Sequence, residues 1–407
     1  MNKTAISKYA TWARRELMQK VMQKAFEYGV TEDTVPEINA TSIDGRILSS
    51  VERQQLNQLI QVVSRDGFNH VVEEVAYTWF NRFIALRFME VNNYLPDRIR
   101  LLSNENNEFK PQILSEALHL ENVDKEKVIN YLDNHQNEEL YKYLLINTCK
   151  QMGAYLPGMF TGIDNYKELL FPDNLLREGS VVSKLVTDIP EEDWKEQVQT
   201  IGWLYQYYIS EKHDKVINIL KGTVKKEDIP AATALFTTDW VVKYMVDNSL
   251  GRYWIERNPN SPLKNKLQFL ATSKDGTIPF VDDPKKPEEI TFIDPCMGSG
   301  HILVYAFDVF LEIYRECGYS DRDAAINILQ NNLYGLDIDG RSYQLAYFSV
   351  MMKARSYNRR ILNEGIKLNI AELIEPEKLP SEEAMLQLGD YKEKQLISLI
   401  NSKTLKN

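Results

Sequence analysis

Apolar residues recur at three- and four-residue spacing through most of the first 210 positions, the signature of amphipathic helices. The pattern predicts helices over 10–28, 50–63, 71–91, 114–132, 138–152 and 193–211. In the third of these, Ala76, Trp79, Phe80, Phe83, Ile84 and Phe88 make a broad stripe expected to be buried. The run from Gly202 to Tyr208, with four aromatic residues, reads as a buried aromatic helix face. Connectors such as 36–41 and 171–174 are short and polar, and no internal repeat interrupts the series. An α-helical N-terminal domain over 1–225 is expected.

The periodicity changes after Lys226. Residues 226–257 carry a helix over 240–253, and 258–289, rich in Pro, Lys and Asp, reads as an exposed connector. Over 290–375 the elements alternate: a strand at 290–293, a glycine turn, a helix at 301–317, a strand at 333–336, a helix at 341–354 and a third strand at 366–370. Strand–helix–strand order implies a parallel α/β sheet with right-handed crossovers. The tail, 376–407, is polar and helix-prone and does not read as the completion of a sheet.

Length and composition narrow the classes. A chain of 407 residues exceeds one ordinary domain, and 43% hydrophobic with 11% aromatic residues suits a globular core. The run 83–91 is broken by Arg87 and Glu90 and cannot cross a bilayer. The N-terminus lacks the apolar core of a signal peptide, so a cytoplasmic location is expected. Cys149, Cys296 and Cys317 form no CxxC pair, and the five histidines show no ligand spacing, which argues against a disulfide framework or a metal site. The net charge of −10 provides no overall basic footprint for gripping DNA phosphates. Arg14, Arg15, Lys20 and Lys24 share a helix but read as a solvated face.

The segment that carries chemistry runs Asp294, Pro295, Cys296, Met297, Gly298, Ser299, Gly300, His301. A hydrophobic strand ends in an acid, turns through two glycines and enters an apolar helix. Glycine permits the sharp turn and lets a ligand approach the backbone closely. A pyrophosphate fingerprint needs a third glycine where Leu303 stands, and an acid at the strand end sits badly beside a pyrophosphate. A carboxylate there suits a cationic amino-acid moiety such as that of S-adenosylmethionine. A second strand ends at Asp337-Ile338-Asp339. Asp337 is the choice for the ribose hydroxyls, with Ile338 against the adenine ring; Asp339 is the runner-up, or caps the following helix. Alone, either piece is as readily a tight turn or a helix cap. Together, in this order and spacing, they favour cofactor binding.

These residues resemble the amino-methyltransferase motifs of restriction-modification and phage-defence enzymes. Asp294 to His301 is similar to the cofactor loop commonly written DPACGSGG, and Tyr334 to Asp339 is similar to the ribose-binding motif. Ala234 to Val246 resembles the FTP-plus-helix motif that precedes the loop in the adenine-N6 class. The resemblance implies that Phe236, Thr237 and Thr238 lie at the methionine end of the cofactor, with Thr238 standing where proline is usual and able to cap the helix. With the helical N-terminus and the Gly202–Tyr208 run, the chain as a whole resembles the adenine-specific methyltransferases of BREX phage-defence systems. The fold implied is a helical N-terminal domain followed by an α/β Rossmann-like S-adenosylmethionine-dependent methyltransferase domain that is incomplete at its C-terminal end.

Enzymes of this class read a flipped adenine with a tetrapeptide (N/D/S)PP(Y/F). The chain contains no Pro-Pro, and Asn258-Pro-Asn-Ser reads as a turn. The expectation is therefore an N-terminal, cofactor-binding portion with no catalytic residues of its own, inactive alone. Its partners would be S-adenosylmethionine, double-stranded DNA gripped mainly elsewhere, and other defence-system proteins or a complementing C-terminal chain, with no membrane. The alternative is a non-catalytic split or truncated subunit acting through protein contacts. An RNA or small-molecule methyltransferase is disfavoured by the placement of the FTT helix before the loop.

Overall fold

Side-chain capping sets several helix starts in the first half of the chain. The computed structural model describes residues 2–162, 165–195, 197–219, 224, 228–233 and 237–374. The first helix, Lys3–Glu27, begins earlier than its apolar pattern because the Asn2 side chain accepts the Ala5 N–H. Ser49 and Glu52 form a reciprocal capping box at the start of Ser50–Asp66. The helix expected over 114–132 is two short ones, Gln112–Ser115 and Lys125–Asp133. Asp124 accepts the Lys127 N–H and starts the second afresh. The helix expected from 193 runs instead over Gln199–Ile219. Asp193 is diverted upstream, where its carboxylate accepts the Asn2 N–H at 2.8 Å.

Phe68–Val91 is the spine of this half. The expected stripe is buried, and so is every other residue from Val75 to Val91, including Asn81, Arg82, Arg87 and Glu90. A helix enclosed on all sides must satisfy its charges internally. Arg87 and Glu90 pair at 2.6 Å with neither side chain exposed, and the second Glu90 oxygen accepts the Leu101 and Leu102 N–H groups at 2.8 Å each. Of the four aromatic residues in the Gly202–Tyr208 run, Tyr205 and Tyr208 are buried as expected, whereas Trp203 and Tyr207 are only partly buried; Tyr208 lies 4.3 Å from Phe80 and 5.1 Å from Tyr77 between ring centroids. The basic residues of the first helix are not a free solvated face. Arg14 is buried against Glu73 at 3.0 Å, Arg15 pairs with Glu211, and Lys24 bonds Glu27 and Asp173.

Two small sheets are present among the described residues. Strands β1 (Ser42–Ile43) and β2 (Arg46–Ile47) form a hairpin turned by Asp44 and Gly45, both at positive φ. Strands β3 (Phe292–Asp294), β4 (Leu333–Asp337) and β5 (Asn369–Glu372) form the second, in the order β3-β4-β5. Strands β3 and β4 are parallel, with Asp294 in register with Gly335. The helices His301–Glu316 and Asp321–Asn327 make the crossover. The following helix, Gly340–Tyr357, lies between sheet and spine: its Phe348 meets Phe88 edge-on, and a Cβ on Gly158 would come within 2.7 Å of the Tyr347 ring. The connector 258–289 is anchored rather than wholly exposed. Leu263 and Ser261 are buried, and Ser261 donates to Glu316 at 2.6 Å.

Met1–Ala371 forms one compact unit, mostly helical, and the second unit, Glu372–Asn407, has only Glu372–Ile374 described. The expected tail, 376–407, lies outside the described residues. No described helix is long and apolar enough to cross a membrane.

Candidate functional site

Parallel pairing puts the ends of β3 and β4 side by side, so both strand-tip acids emerge at one edge of the sheet. The connection between them is direct. The Gly298 N–H, in the loop after Asp294, donates to Asp337 Oδ2 at 2.9 Å, and the Met297 N–H donates to the Leu336 carbonyl at 3.0 Å. The loop after the first acid is thus laced onto the second strand tip.

The loop depends on its glycines. Gly300 caps the helix His301–Glu316 at φ +82°, and a Cβ there would stand 2.9 Å from the Ala346 Cα. The loop therefore closes against the helix Gly340–Tyr357 at a contact only glycine permits. Gly298 is also left-handed, at φ +54°, but a Cβ there would meet nothing within 4 Å. Room is left at that point of the turn. Met297 and Ser299 are buried, whereas Pro295 and Cys296 are exposed.

Asp294 is 7% exposed. Its Oδ1 accepts the Cys296 N–H at 3.1 Å, and its Oδ2 is buried without a hydrogen-bond partner. Burial raises its pKa, the like charge of Asp337 adds to the rise, and the Cys296 N–H opposes it. A buried carboxylate oxygen left without a donor favours a cationic or hydrogen-bonding ligand. Asp337 is half-buried. Burial raises its pKa as well, against the N–H groups of Asp339 and Gly298, while the Asp339 charge pushes it further up. Each Asp337 oxygen takes one backbone N–H, Oδ1 from Asp339 and Oδ2 from Gly298, both at 2.9 Å. Acceptor capacity remains on the carboxylate for a ligand hydroxyl. Beside it Ile338 is 53% exposed, an apolar side chain standing free at a strand tip.

Of the two roles open to Asp339, the structure shows the cap. Its side chain accepts the Arg341 N–H at the start of Gly340–Tyr357 and is gripped by Arg341 Nε at 2.8 and 3.1 Å.

The upstream motif reaches the same loop. The Thr237 carbonyl lies 3.2 Å from His301 Nδ1. Burial pushes the His301 imidazole below its usual range, with Asp239 opposing, so the ring is neutral at pH 7. Thr238 occupies the N-cap position of the helix Asp239–Val246, but its side chain makes no capping bond, contrary to expectation. Its hydroxyl is not turned back onto the N–H groups of the first turn. Phe236 lies outside the described residues. Among the described residues no group of three or more His, Cys, Asp and Glu side chains is placed to hold a metal ion.

Sequence reasoning missed the residues behind the strand tip. Tyr205 donates to, or accepts from, Ser342 Oγ at 2.9 Å and reaches Asp339 Oδ2 at 3.5 Å. The only local signal was Arg341 placed two residues after an acid. Tyr205, 134 positions away from Asp339, carried none.

The chain is 41% identical over 399 residues to the adenine-specific methyltransferase BrxX of Escherichia coli O9:H4 (strain HS), covering 92% of the chain and 32% of the relative. It is 40% identical over 415 residues to the adenine-specific methyltransferase PglX of Lacticaseibacillus casei (strain Zhang), covering 92% of the chain and 34% of that relative. A 155-residue stretch is 27% identical to a putative type II restriction enzyme and methyltransferase of Methanocaldococcus jannaschii. No family model matches the chain. The chain spans about a third of the length of the two similar relatives. The resemblance to the BREX adenine-specific methyltransferases therefore holds along nearly all of this chain.

Proposed function

We propose that this chain binds S-adenosylmethionine between Asp294 and Asp337 and forms the methyl-donor portion of an adenine-specific DNA methyltransferase with a Rossmann-like sheet. The observation that carries the reading is the Gly298 N–H bond to Asp337, which ties the two-glycine loop to the acidic strand tip. In this reading Asp294 Oδ2 receives the ammonium of the methionine moiety, Asp337 the ribose hydroxyls, and Ile338 one face of the adenine. Gly298 leaves room for the ligand, and Thr237 and the neutral His301 border its methionine end, with Phe236 assigned there by motif. Bound S-adenosylmethionine supplies an electrophilic methyl group on a sulfonium. The protein's part is to orient it and keep water from the carbon.

The chain has no (N/D/S)PP(Y/F) tetrapeptide, so the reading assigns donor binding to these 407 residues and adenine handling to a segment outside them. Duplex DNA would be gripped chiefly by that segment, which also fits the net charge of −10. Calorimetry with S-adenosylmethionine tests the donor site: binding by the parent and its loss in Asp294→Ala support it, and equal heats from both remove Asp294 from the site. Co-expression with a chain carrying an NPPY-type motif tests the division of labour. Restored adenine methylation supports it, and methylation by this chain alone overturns it.

A further inference from the structure

Behind the acidic strand tip lies a polar cluster that donor binding does not itself require. Arg341 grips both oxygens of Asp339, and its guanidinium lies 5.5 Å from the ring centroid of Tyr77 on the spine helix. Tyr205, buried on the helix Gln199–Ile219, bonds Ser342 Oγ at 2.9 Å and stands 3.5 Å from Asp339 Oδ2. Asp339 in turn gives its backbone N–H to Asp337 Oδ1 at 2.9 Å. A continuous chain of contacts thus leads from two tyrosines of the helical half to the strand-tip carboxylate.

We infer that Tyr205 is a positioning residue: through Ser342 and Asp339 it fixes the orientation of the Asp337 carboxylate, so that the helical bundle sets the geometry of the ribose site. The inference rests on the donor reading for its ligand but not for its contacts. A carboxylate whose plane is already fixed accepts two vicinal hydroxyls at a lower ordering cost than a freely rotating one. Asp337 has one oxygen held from the loop and the other from Asp339. The second hold is backed by a hydrogen-bonded path to the bundle. Burying a tyrosine hydroxyl is costly unless it is bonded, and Tyr205 directs that bond at the residues supporting the tip rather than at its own helix.

The test uses the full chain with Tyr205→Phe, Ser342→Ala and the double variant. Hydrogen exchange of the ligand-free protein is read over 337–341, and calorimetry compares S-adenosylhomocysteine with its 2′-deoxy analogue. Tyr205→Phe is expected to speed exchange at the Asp339 amide and to weaken the ribonucleoside ligand by up to about fivefold, the net worth of one hydrogen bond. The deoxy analogue should lose less, and Ser342→Ala should add little to Tyr205→Phe. Unchanged exchange at the tip, or equal weakening of both ligands with faster exchange everywhere, overturns the inference, because a merely structural role predicts the latter. If the parent binds neither ligand while exchange at Asp339 still quickens, the positioning stands and the donor reading falls.

Discussion

Two alanine substitutions in one loop separate packing from ligand room. Gly300 and Gly298 both hold left-handed backbone, at φ +82° and +54°. That conformation disfavours an L-residue by about 1–2 kcal/mol, a term common to both sites. At Gly300 the new Cβ would also stand 2.9 Å from the Ala346 Cα and 3.1 Å from its Cβ, where a helix backbone cannot swing aside. Overpacking of that kind adds about 1–3 kcal/mol. Gly300→Ala should therefore lose about 2–5 kcal/mol and Gly298→Ala only about 1–2 kcal/mol. Urea unfolding of the parent and both variants, followed by tryptophan fluorescence and circular dichroism, reads the difference. Calorimetry supplies the other half: Gly298→Ala keeps the N–H that holds Asp337, yet places a methyl in the open turn, and should weaken S-adenosylmethionine binding in a protein that is still folded. Equal midpoints for the two variants would refute the packing argument. Parent-like donor affinity in Gly298→Ala would show that the open space is not ligand room.

Other perturbations test other parts. Asp294 has a pKa raised by burial, so its contribution to stability is fully present below the ordinary aspartate range and is lost as pH rises through the raised value. Asp294→Asn should consequently stabilise the ligand-free protein at neutral pH, with the gain vanishing in acid; a melting series from pH 3 to 8 showing the reverse order would contradict this. Donor affinity of the parent should decline as pH falls through the same raised value, because an ammonium group needs the ionised acid. Thiol titration should find Cys296 and Cys317 reactive in the native protein and Cys149 silent until denaturant is added, since burial pushes the Cys149 thiol up to about 12; S-adenosylmethionine should slow Cys296 and leave Cys317 unaffected. Glu90→Ala strands Arg87 in the core and should lose about 3–5 kcal/mol in chemical denaturation, whereas a loss below 1 kcal/mol would mean that water reaches the site.

How much of this was legible in the sequence depends on the range of the interactions. The glycine loop and the strand tip were read from local chemistry: an acid ending an apolar strand, then glycines where the chain must turn left-handed. Their juxtaposition followed from parallel order, because a strand–helix–strand unit aligns its carboxyl ends. Helix boundaries were read less well. The break between Ser115 and Lys125 depends on Asp124 acting as a cap, a local signal outweighed by the apolar spacing around it. The start at Gln199 depends on Asp193 bonding residue 2, which no window of sequence contains. The full enclosure of the spine helix was invisible for a similar reason. Arg82, Arg87 and Glu90 are buried only because segments distant in sequence cover them.

In the proposed reading, the two strand-tip acids also make the donor site weak when empty and tight when filled. Without a ligand the site holds a buried carboxylate oxygen with no donor, beside a second carboxylate whose charge raises the pKa of the first. Neither arrangement favours the folded state, and the backbone N–H groups of Cys296, Gly298 and Asp339 offset only part of the penalty. A ligand bringing an ammonium group and two hydroxyls removes both defects at once. Its binding energy then includes the relief of strain already present in the protein. Binding to the folded state alone stabilises it by about 2.7 kcal/mol at a hundredfold excess over Kd. The thermal shift given by S-adenosylmethionine should accordingly exceed that given by adenosine, which in the proposed reading would engage Asp337 and leave Asp294 Oδ2 without a partner. Equal shifts at matched ligand-to-Kd ratios are what simple linkage predicts, so the comparison must be made at equal ligand concentration, where a missing ammonium contact appears directly as a smaller shift.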